Sequence, residues 1–211
     1  MEQHRTAWQP QVITSPVEQA LGDLRRTSVL TRFYLAGGTG LALRLGHRRS
    51  VDLDFFTGES FGLEQLLQKV QHLSGFALIA KEEQTLHAHI RGIKVSFLGY
   101  AYPVLFQFEE FRGINVADPR DIACMKISAI AGRGAKRDFV DLYAASKQYL
   151  LPKLLELFHR KFAQANYSAV HVLKSLTYFD DAENDPMPEM LAPISWMEVK
   201  EFFTEEVPGL A

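Results

Sequence analysis

The sequence predicts an α+β fold, in which an α/β core with a mixed sheet is followed by a helical part. Patterns typical of short strands and helices alternate as far as residue 98, and from Pro119 onward the pattern is helical almost throughout. With 211 residues, 47% of them hydrophobic, the chain has enough apolar mass for a substantial core. We therefore expect an α/β core over residues 1–118 and a helical subdomain over residues 119–211.

Capping and breaking residues delimit the elements of the first quarter of the chain. Ser15 as N-cap and Pro16 at the first helical position predict the start of one helix. Thr39 as a cap and Gly46 as a terminator predict the limits of a second, shorter helix. The predicted elements are a helix at 17–31, a strand at 33–36, a helix at 40–45 and a half-exposed strand at 51–56.

Later elements follow from hydrophobic periodicity. Strand patterns on either side of Arg91 and Gly92 predict a hairpin. The acidic, proline-containing residues 180–188 predict an exposed loop. The predicted strands are 76–80, 85–90 and 94–98, and the predicted helices are 63–73, 121–131, 138–148, 152–163 and 169–179.

Charge and cysteine content limit the classes of partner and compartment. The net charge of −2 and pI near 6.4 give no overall attraction to nucleic acid, so a polyanionic partner requires a local basic patch. The single cysteine, Cys124, excludes an intramolecular disulfide framework and suits a reducing cytoplasm. No apolar run approaches the length needed to span a bilayer. These features predict a cytoplasmic protein with no membrane partner.

Two aspartates form the first candidate site. In a strand, alternate side chains share a face, so Asp52 and Asp54 are expected on the face opposite Leu53 and Phe55. Two neighbouring carboxylates repel each other unless a cation lies between them. Mg²⁺ or Mn²⁺ would relieve that repulsion, and Mg²⁺ uses few protein carboxylates together with water and substrate phosphates. A solvated strand face is the alternative interpretation.

A glycine-rich turn lies just before the aspartates. Gly37, Gly38 and Thr39 connect a predicted strand to a helix N-terminus, where glycines let backbone N–H groups approach a phosphate and the hydroxyl adds a donor. A simple turn is the alternative for this stretch alone. A dinucleotide-binding loop is disfavoured, because Ala42 and Leu43 stand where the G-x-G-x-x-G pattern requires its last glycine.

Two segments resemble a known family. GGTGLALRLGHRRSVDLDFF, residues 37–56, and DPRDIACMKISAIAGRGAKRDFVDLY, residues 118–143, are similar to the signatures of the AbiEii/AbiGii nucleotidyltransferase toxins. These toxins are relatives of the polymerase-β-type nucleotidyltransferases, and the resemblance extends over residues 30–150. It implies a polymerase-β-like core, an NTP substrate, an RNA acceptor such as a tRNA end, and a separately encoded antitoxin with a DNA-binding domain.

The resemblance also assigns roles to residues. It implies that Gly38 and Thr39 bind phosphate, that Asp52 and Asp54 hold the metal, and that Lys126 meets the phosphates of the nucleotide. An aspartate of KRDFVDLY would complete the site. His47 and Arg48 match the family pattern and are expected to contact the triphosphate or an RNA backbone.

The second segment can also be interpreted from its own chemistry. Helical spacing lets Lys126 and Arg133 share a face, where a point charge and a bidentate donor suit phosphate oxygens. Asp138 is either the N-cap of the next helix or a catalytic acid, and both interpretations stay open. Asp141, one turn later, is the second candidate for the acid.

One position departs from the family pattern. Polymerase-β-like enzymes usually supply a third carboxylate from a later strand, but the corresponding strand here, IKVSFLGY, offers Ser96. A later acid can replace it, one metal can suffice, or the protein binds nucleotide without turnover. His87 and His89 alternate on the preceding strand with no third ligand nearby, so we interpret them as histidines of an exposed face rather than a zinc site.

Two functional hypotheses result. The first is a metal-dependent nucleotidyltransferase that acts as the toxin of a toxin–antitoxin or abortive-infection pair. The second is a catalytically silent nucleotidyltransferase fold that binds nucleotide or a partner protein.

Overall fold

A seven-stranded mixed sheet forms the centre of the first part of the chain in the computed structural model, which describes residues 7–210. The strand order is β3-β4-β5-β2-β1-β7-β6. The pairs β2–β5 and β1–β7 are parallel and the other neighbours are antiparallel. The strands are β1 (Tyr34–Leu35), β2 (Leu53–Thr57), β3 (Ala77–Glu82), β4 (Thr85–Ile90), β5 (Ile93–Gly99), β6 (Glu109–Phe111) and β7 (Ile114–Val116).

Helices flank the sheet and make up the rest of the chain. They are α1 (Ser15–Arg26), α2 (Gly37–Leu45), α3 (Leu63–Val70), α4 (Pro119–Arg133), α5 (Lys136–Tyr149), α6 (Leu151–Lys161), α7 (Ala169–Ser175), α8 (Asp180–Glu183) and α9 (Trp196–Glu206), with short 3₁₀ turns at Pro10–Val12, Val29–Arg32 and Val207–Leu210. The predicted α+β class, a mixed sheet followed by helices, is confirmed. Over residues 7–210, every helix is too short or too polar to cross a lipid bilayer.

The starts and ends of the first two helices differ from the prediction. The first helix ends at Arg26 because Ser28 takes a left-handed conformation (φ 56°), and a 3₁₀ turn replaces the predicted continuation to residue 31. Its N-cap position is occupied by Thr14, so the prediction of Ser15 as N-cap is wrong. The helix α2 starts at Gly37 rather than Gly40, and Gly46 ends it in the left-handed conformation as predicted.

Four later elements, two strands and two helices, were not predicted. The β4–β5 hairpin turns at Arg91 and Gly92 as expected, whereas the similar hairpin between β6 and β7 was missed. The helix α9 was also missed, although Ser195 and Glu198 form a capping box at its start. Part of the loop predicted at 180–188 is the short helix α8.

The two faces of the sheet around β2 and β5 differ in chemistry. Leu53 and Phe55 of β2 are fully buried with Phe97 of β5 in a core that includes Leu24 of α1. That burial is what fixes the register, since a slip by one residue would exchange the faces. The opposite face therefore carries the polar residues of these strands.

A second hydrophobic core lies in the helical part. Phe139, Phe158 and Phe203 are fully buried there, from α5, α6 and α9. The helix α2 packs against both α4 and α5, and so connects the sheet to this core. The helix α4 begins at Pro119, where the Asp118 carboxylate accepts a hydrogen bond from the backbone N–H of Arg120. The division into domains at residue 118 stays a prediction.

Candidate active site

The carboxylates of Asp52, just before β2, and Asp54, within β2, accept no hydrogen bond from any described residue. Leu53 between them is buried, whereas both aspartates are partly exposed. Among the described residues, the only basic group within 4.0 Å of either carboxylate is Arg137, whose Nη1 lies 3.8 Å from Asp52 Oδ2. Two neighbouring carboxylates without hydrogen-bonded neutralisation are an electrostatically unfavourable arrangement that a bound cation relieves.

The N-terminal turn of α2 requires glycine at its first two positions. Gly37 has φ +61°, and a Cβ at this position would lie 2.7 Å from Oδ2 of Asp54. A Cβ at Gly38 would collide with Nη2 of Arg48. The N-terminal turn of α2 thus lies directly against the Asp54 carboxylate on one side and the Arg48 guanidinium on the other, which only glycine allows.

Thr39 ties the start of α2 to the segment before β2. Its hydroxyl donates to the backbone carbonyl of Asp52 and lies 2.8 Å from Ser50 Oγ, from which it can accept. The prediction that Thr39 caps α2 is wrong, because the helix begins two residues earlier and its N-cap position is Ala36. These hydrogen bonds position the backbone of Asp52.

Four charged side chains, Lys126, Arg133, Asp138 and Asp141, form an ion cluster around two buried aspartates, with the Arg133 side chain at its exposed edge. We call this group the buried ion cluster. Lys126 Nζ lies 2.7 Å from Asp138 Oδ1 and 2.7 Å from Asp141 Oδ2. Arg133 donates through Nη2 to Asp138 Oδ2 at 3.0 Å. Both aspartates are 0% exposed. Buried carboxylates of this kind are stable only with such compensation.

Two residues of the basic run, which we define as residues 47–49, extend the buried ion cluster toward α2. Arg48 donates in a bidentate manner to Asp141, with Nε 2.6 Å from Oδ1 and Nη2 2.9 Å from Oδ2. His47 Nε2 lies 2.8 Å from the same Oδ1. Arg48 therefore bridges the Asp141 carboxylate and the N-terminal turn of α2 at Gly38. The predicted contacts of His47 and Arg48 with a nucleotide stay predictions, since both side chains are engaged with Asp141.

The ion pairs stabilise the charged forms of the buried side chains. Burial by itself would raise the pKa of Asp141, but Lys126 and Arg48 outweigh it and hold that pKa well below the usual value. Burial would likewise lower the pKa of Lys126, yet Asp141 and Asp138 leave it raised. The pKa of Arg48 is raised because Asp141 outweighs its burial. All three groups are therefore ionised at neutral pH.

The alternative of Asp138 as an N-cap is wrong. The helix α5 begins at Lys136 with Ala135 in the N-cap position, so Asp138 is already the third helical residue. Its carboxylate binds Lys126 and Arg133 instead of the backbone. The catalytic roles predicted for Lys126, Asp138 and Asp141 stay predictions.

Residues 189–191, from the C-terminal part of the chain, pair with the backbone of the basic run. Arg48 and Met190 form an isolated antiparallel bridge. The backbone N–H of Arg49 donates to the carbonyl of Glu189 at 2.8 Å, and the N–H of Leu191 donates to the carbonyl of His47 at 2.9 Å. The loop that carries His47 and Arg48 is thus held on both sides.

The residues around Asp54 fit a divalent cation with an incomplete protein shell. Within residues 7–210, no three His, Cys, Asp or Glu side chains come together as a metal-binding group. Ser96 stands directly beside Asp54 in the parallel β2–β5 register, as the sequence predicted for the position of the third acid. Two carboxylates and a hydroxyl suit Mg²⁺, which keeps several waters and binds substrate phosphates.

Comparison with protein families decides the relationship. The model of the nucleotidyl transferase AbiEii toxin family, a type IV toxin–antitoxin system, matches residues 19–104 and 99–208. These matches span most of the chain and include both segments on which the resemblance rested.

The chain belongs to the AbiEii family.

Relatives of this AbiEii protein agree with the assignment. An uncharacterized protein of Aquifex aeolicus (strain VF5), aq_aa25, is 38% identical over 195 residues, which are 90% of this chain and 93% of the relative. MenT4, the nucleotidyltransferase toxin Rv2826c of Mycobacterium tuberculosis H37Rv, superposes with TM-score 0.54 at 17% identity, covering 91% of this chain and 86% of MenT4. JHP933 of Helicobacter pylori gives TM-score 0.51 at 16% identity, covering 96% and 94%. At such identities these two structures show the shared fold.

Membership in the AbiEii family makes the protein a nucleotidyltransferase of a toxin–antitoxin system. The family implies a nucleotide substrate and an antitoxin partner. The predicted family and enzyme class are confirmed.

Sequence reasoning missed two residues at the candidate site. The hydroxyl of Ser50 is hydrogen-bonded to that of Thr39 at the start of α2. The guanidinium of Arg137 lies beside the Asp52 carboxylate. Its position two residues into α5, next to Asp138, is the signal that could have pointed to it, because the start of that helix contains the predicted acid.

Proposed function

We propose that this AbiEii protein transfers a nucleotidyl group from an NTP to a hydroxyl of an RNA acceptor, such as a tRNA end, with Mg²⁺ or Mn²⁺. The observation that carries the proposal is the partly exposed pair Asp52 and Asp54, which accept no hydrogen bond from the described residues, with Asp54 against the glycine turn of α2. We further propose that it acts in the cytoplasm, where NTPs and RNA are available. A cognate antitoxin with a DNA-binding domain would limit its action.

In this proposal Asp52 and Asp54 hold the ion. When bound, the ion would neutralise charge on the phosphates and on the attacking and leaving oxygens. The chain itself orients these carboxylates: Thr39 fixes the backbone of Asp52, and Gly37 lets the Asp54 carboxylate lie against the turn. Pre-positioned groups of this kind lower the barrier without reorganisation during the reaction.

The N-terminal turn of α2 is the proposed phosphate site. A helix N-terminus offers free backbone N–H groups to an anion. Arg48 beside Gly38 adds positive charge there. The ion pairs of the buried ion cluster would hold Arg48 and Arg133 in position. They would also hold Lys126 and the two aspartates, the positions that the family resemblance assigns to catalysis.

Local charge supports a polyanionic acceptor despite the net charge of −2. The side chains of Arg133 and Arg137 are 59% and 52% exposed, and Arg137 lies beside Asp52. Arg133 is the last residue of α4 and Arg137 lies in the first turn of α5. This is the local basic patch that recognition of an RNA backbone requires.

The test combines binding with transfer. Isothermal titration with Mg²⁺ and a non-hydrolysable NTP should show binding that weakens at least about a hundredfold in the Asp52→Ala, Asp54→Ala double variant, because two charge-assisted interactions are lost. Labelled NTPs incubated with total RNA should label RNA only with the parent protein. The charge-matched control is Glu205→Ala, Glu206→Ala, an exposed pair in α9. Equal binding by the two double variants would reject the site.

One feature favours the second hypothesis, the silent fold. Ser96 replaces the third acid, and the two aspartates of α5 are fully engaged in the buried ion cluster. Binding of Mg²⁺ and nucleotide without transfer to any RNA, together with unimpaired growth on expression in a bacterial host, would support that hypothesis instead.

A further inference from the structure

A groove lies between the C-terminal halves of α2 and α5, and we call it the α2–α5 groove. Its volume is about 370 Å³, within the range of about 300–1,000 Å³ that is typical of clefts for small ligands. Lys147 and Gln148 are exposed at its rim, so the groove opens to solvent. Residues that line it include Arg44 of α2, His47 of the basic run, Ala144, Lys147 and Gln148 of α5, and Gln9.

The groove lies along the same two helices as the candidate active site. The helices α2 and α5 pack against each other, and their first turns, with Gly37 and Arg137, lie beside the aspartate pair. A helix rises about 1.5 Å per residue, so Lys147 is about 15 Å along α5 from Arg137. A stacked nucleic-acid strand advances about 3.4 Å per nucleotide, so the groove is about four nucleotides from the aspartate pair, or fewer in an extended strand.

Lys147 supplies the available positive charge of the groove. Its Nζ lies 4.6 Å from the ring centroid of Tyr143 and 4.9 Å from that of Phe202, and it forms no ion pair with a described residue. Arg44 is already paired with Glu109, with Nη1 2.6 Å from Oε2. None of the described residues that line the groove is acidic. The rim therefore suits one phosphate of a polyanion.

The rest of the lining suits a nucleobase. Leu45 and Ile194 are partly buried aliphatic residues, and the Gln148 amide makes no hydrogen bond with a described residue. An amide can both donate to and accept from the edge of a base. At the buried side of the groove, His47 Nδ1 and Arg44 Nε have no hydrogen-bond partner among the described residues, which favours a ligand with polar atoms. An unstacked nucleotide combines apolar faces, polar edges and a phosphate.

We propose that the α2–α5 groove binds one unpaired nucleotide of the RNA acceptor, about four nucleotides or fewer from the reacting end. This inference rests on the proposed function. Lys147 pairs with a phosphate of that nucleotide, the Gln148 amide bonds the edge of its base, and the aliphatic side chains pack on the face of the base. His47 lines the groove and its neighbour Arg48 lies beside Gly38, so the basic run lies between the bound nucleotide and the proposed phosphate site.

Binding is tested with a fluorescein-labelled single-stranded RNA of eight nucleotides and mixed sequence, followed by anisotropy. Lys147→Gln should weaken binding about tenfold, because one charge-assisted contact is lost. It should also make the slope of log K against log salt concentration shallower by about 0.7, the value for one phosphate of a single strand. Lys69→Gln is the matched control, since Lys69 is likewise exposed, without an ion pair among the described residues, and located on α3. It should bind like the parent.

A second variant tests the space rather than the charge. Ala144→Leu fills part of the groove with a side chain that a helix accommodates well. It should also weaken RNA binding about tenfold, while its melting temperature stays within a few degrees of the parental value.

Transfer is tested with two acceptors, the eight-nucleotide RNA and a dinucleotide that is too short to reach the groove. Lys147→Gln and Ala144→Leu should raise KM for the longer acceptor about tenfold. The KM for the dinucleotide, and the affinity for Mg²⁺ with a non-hydrolysable NTP, should stay within about twofold of the parental values. A loss of this kind for the longer acceptor alone supports the groove as a subsite for RNA.

The outcomes separate this inference from the proposed function. Equal RNA binding by Lys147→Gln and Lys69→Gln would overturn the inference, as would an equal rise in KM for both acceptors. Either result leaves the proposed transfer intact if the parent labels RNA. If the parent labels no RNA of any length, the proposed transfer fails, and the anisotropy measurements alone decide whether the groove binds RNA.

Discussion

The protein holds two pairs of aspartates in opposite environments. Asp138 and Asp141 of α5 are completely buried, and Lys126, Arg133 and Arg48 neutralise them through short contacts, while His47 Nε2 lies within hydrogen-bond distance of Asp141. Asp52 and Asp54 are partly exposed and, within the described residues, have only Arg137 at 3.8 Å. A pair of carboxylates thus stabilises the fold in one place and is available to bind a cation in the other.

The difference teaches how to assign roles to carboxylates that share a sequence signature. A carboxylate whose lone pairs are already occupied by buried cations contributes mainly to cohesion, and removal of one partner leaves an uncompensated charge. A carboxylate that repels its neighbour and faces solvent gains most from a ligand. Breaking one pair should therefore affect stability, and breaking the other should affect binding.

The largest effect is expected from Asp141→Asn. The amide cannot neutralise Lys126 and Arg48, so the free energy of unfolding should fall by about 3–5 kcal/mol. For a chain of this size, that corresponds to a melting temperature lower by about 6–20 °C. The matched variant Asp54→Asn should melt within about 2 °C of the parent. Thermal unfolding followed by circular dichroism measures both, and equal melting temperatures for the two variants would remove the contrast.

Acid should weaken the same cluster without mutation. Because the pKa of Asp141 is depressed in the folded state, its contribution is fully present above the unfolded carboxyl value of about 3.9 and is lost as pH falls through the folded pKa. The raised pKa of Lys126 acts in the opposite direction, so its contribution is present below about 10.4 and is lost only as pH rises through the folded value. Urea unfolding should show constant cluster stability between about pH 5 and pH 9, and a decline below about pH 4.

Asp141→Asn is the control for this acid effect. The variant has already lost the carboxylate, so its stability should depend less steeply on pH below about 4 than that of the parent. An identical acid slope in parent and variant would mean that other carboxylates cause the decline.

The smallest effect is expected from Gly37→Ala. The left-handed conformation (φ +61°) and the approach of Asp54 Oδ2 to 2.7 Å should cost about 1–3 kcal/mol and displace the carboxylate. Gly134→Ala shares the left-handed conformation (φ +58°), but its nearest atom is 3.8 Å away. Titration with Mg²⁺ and a non-hydrolysable NTP should show weaker binding for Gly37→Ala alone. Comparable loss in both variants would show that strain, rather than the Asp54 contact, reduces binding.

Local patterns were enough to predict one half of the candidate site. Gly37 and Asp54 are 17 positions apart, and a strand, a turn and a helix between them suffice to bring them together. The ion pairs of Arg48 with Asp141 span 93 positions and depend on the packing of α2 against α5. Sequence periodicity does not indicate such a long-range contact. Only the resemblance to a family indicated that the segments with Arg48 and Asp141 belong to one site.

The missed elements had signals that were not used. The β4–β5 hairpin was predicted from IRGI, residues 90–93, and the missed β6–β7 hairpin turns on FRGI, residues 111–114. Both arginines and both glycines have positive φ. The short flanking strands, three residues each, gave too little alternation to be recognised. In contrast, the position of Asp138 within α5 could not be judged locally, because Ala135 offers no capping side chain to mark the start of the helix.

The loop with His47 and Arg48 receives its partners from residues made much later. A ribosome produces the chain from its N-terminus, so residues 37–54 are made well before Asp141 and the pairing segment at 189–192. Before then, the guanidinium of Arg48 has neither its carboxylate nor its backbone bridge. The arrangement at the glycine turn is therefore completed only after residue 192 has been made, which gives the cell an interval in which a member of a toxin family is present but not yet assembled.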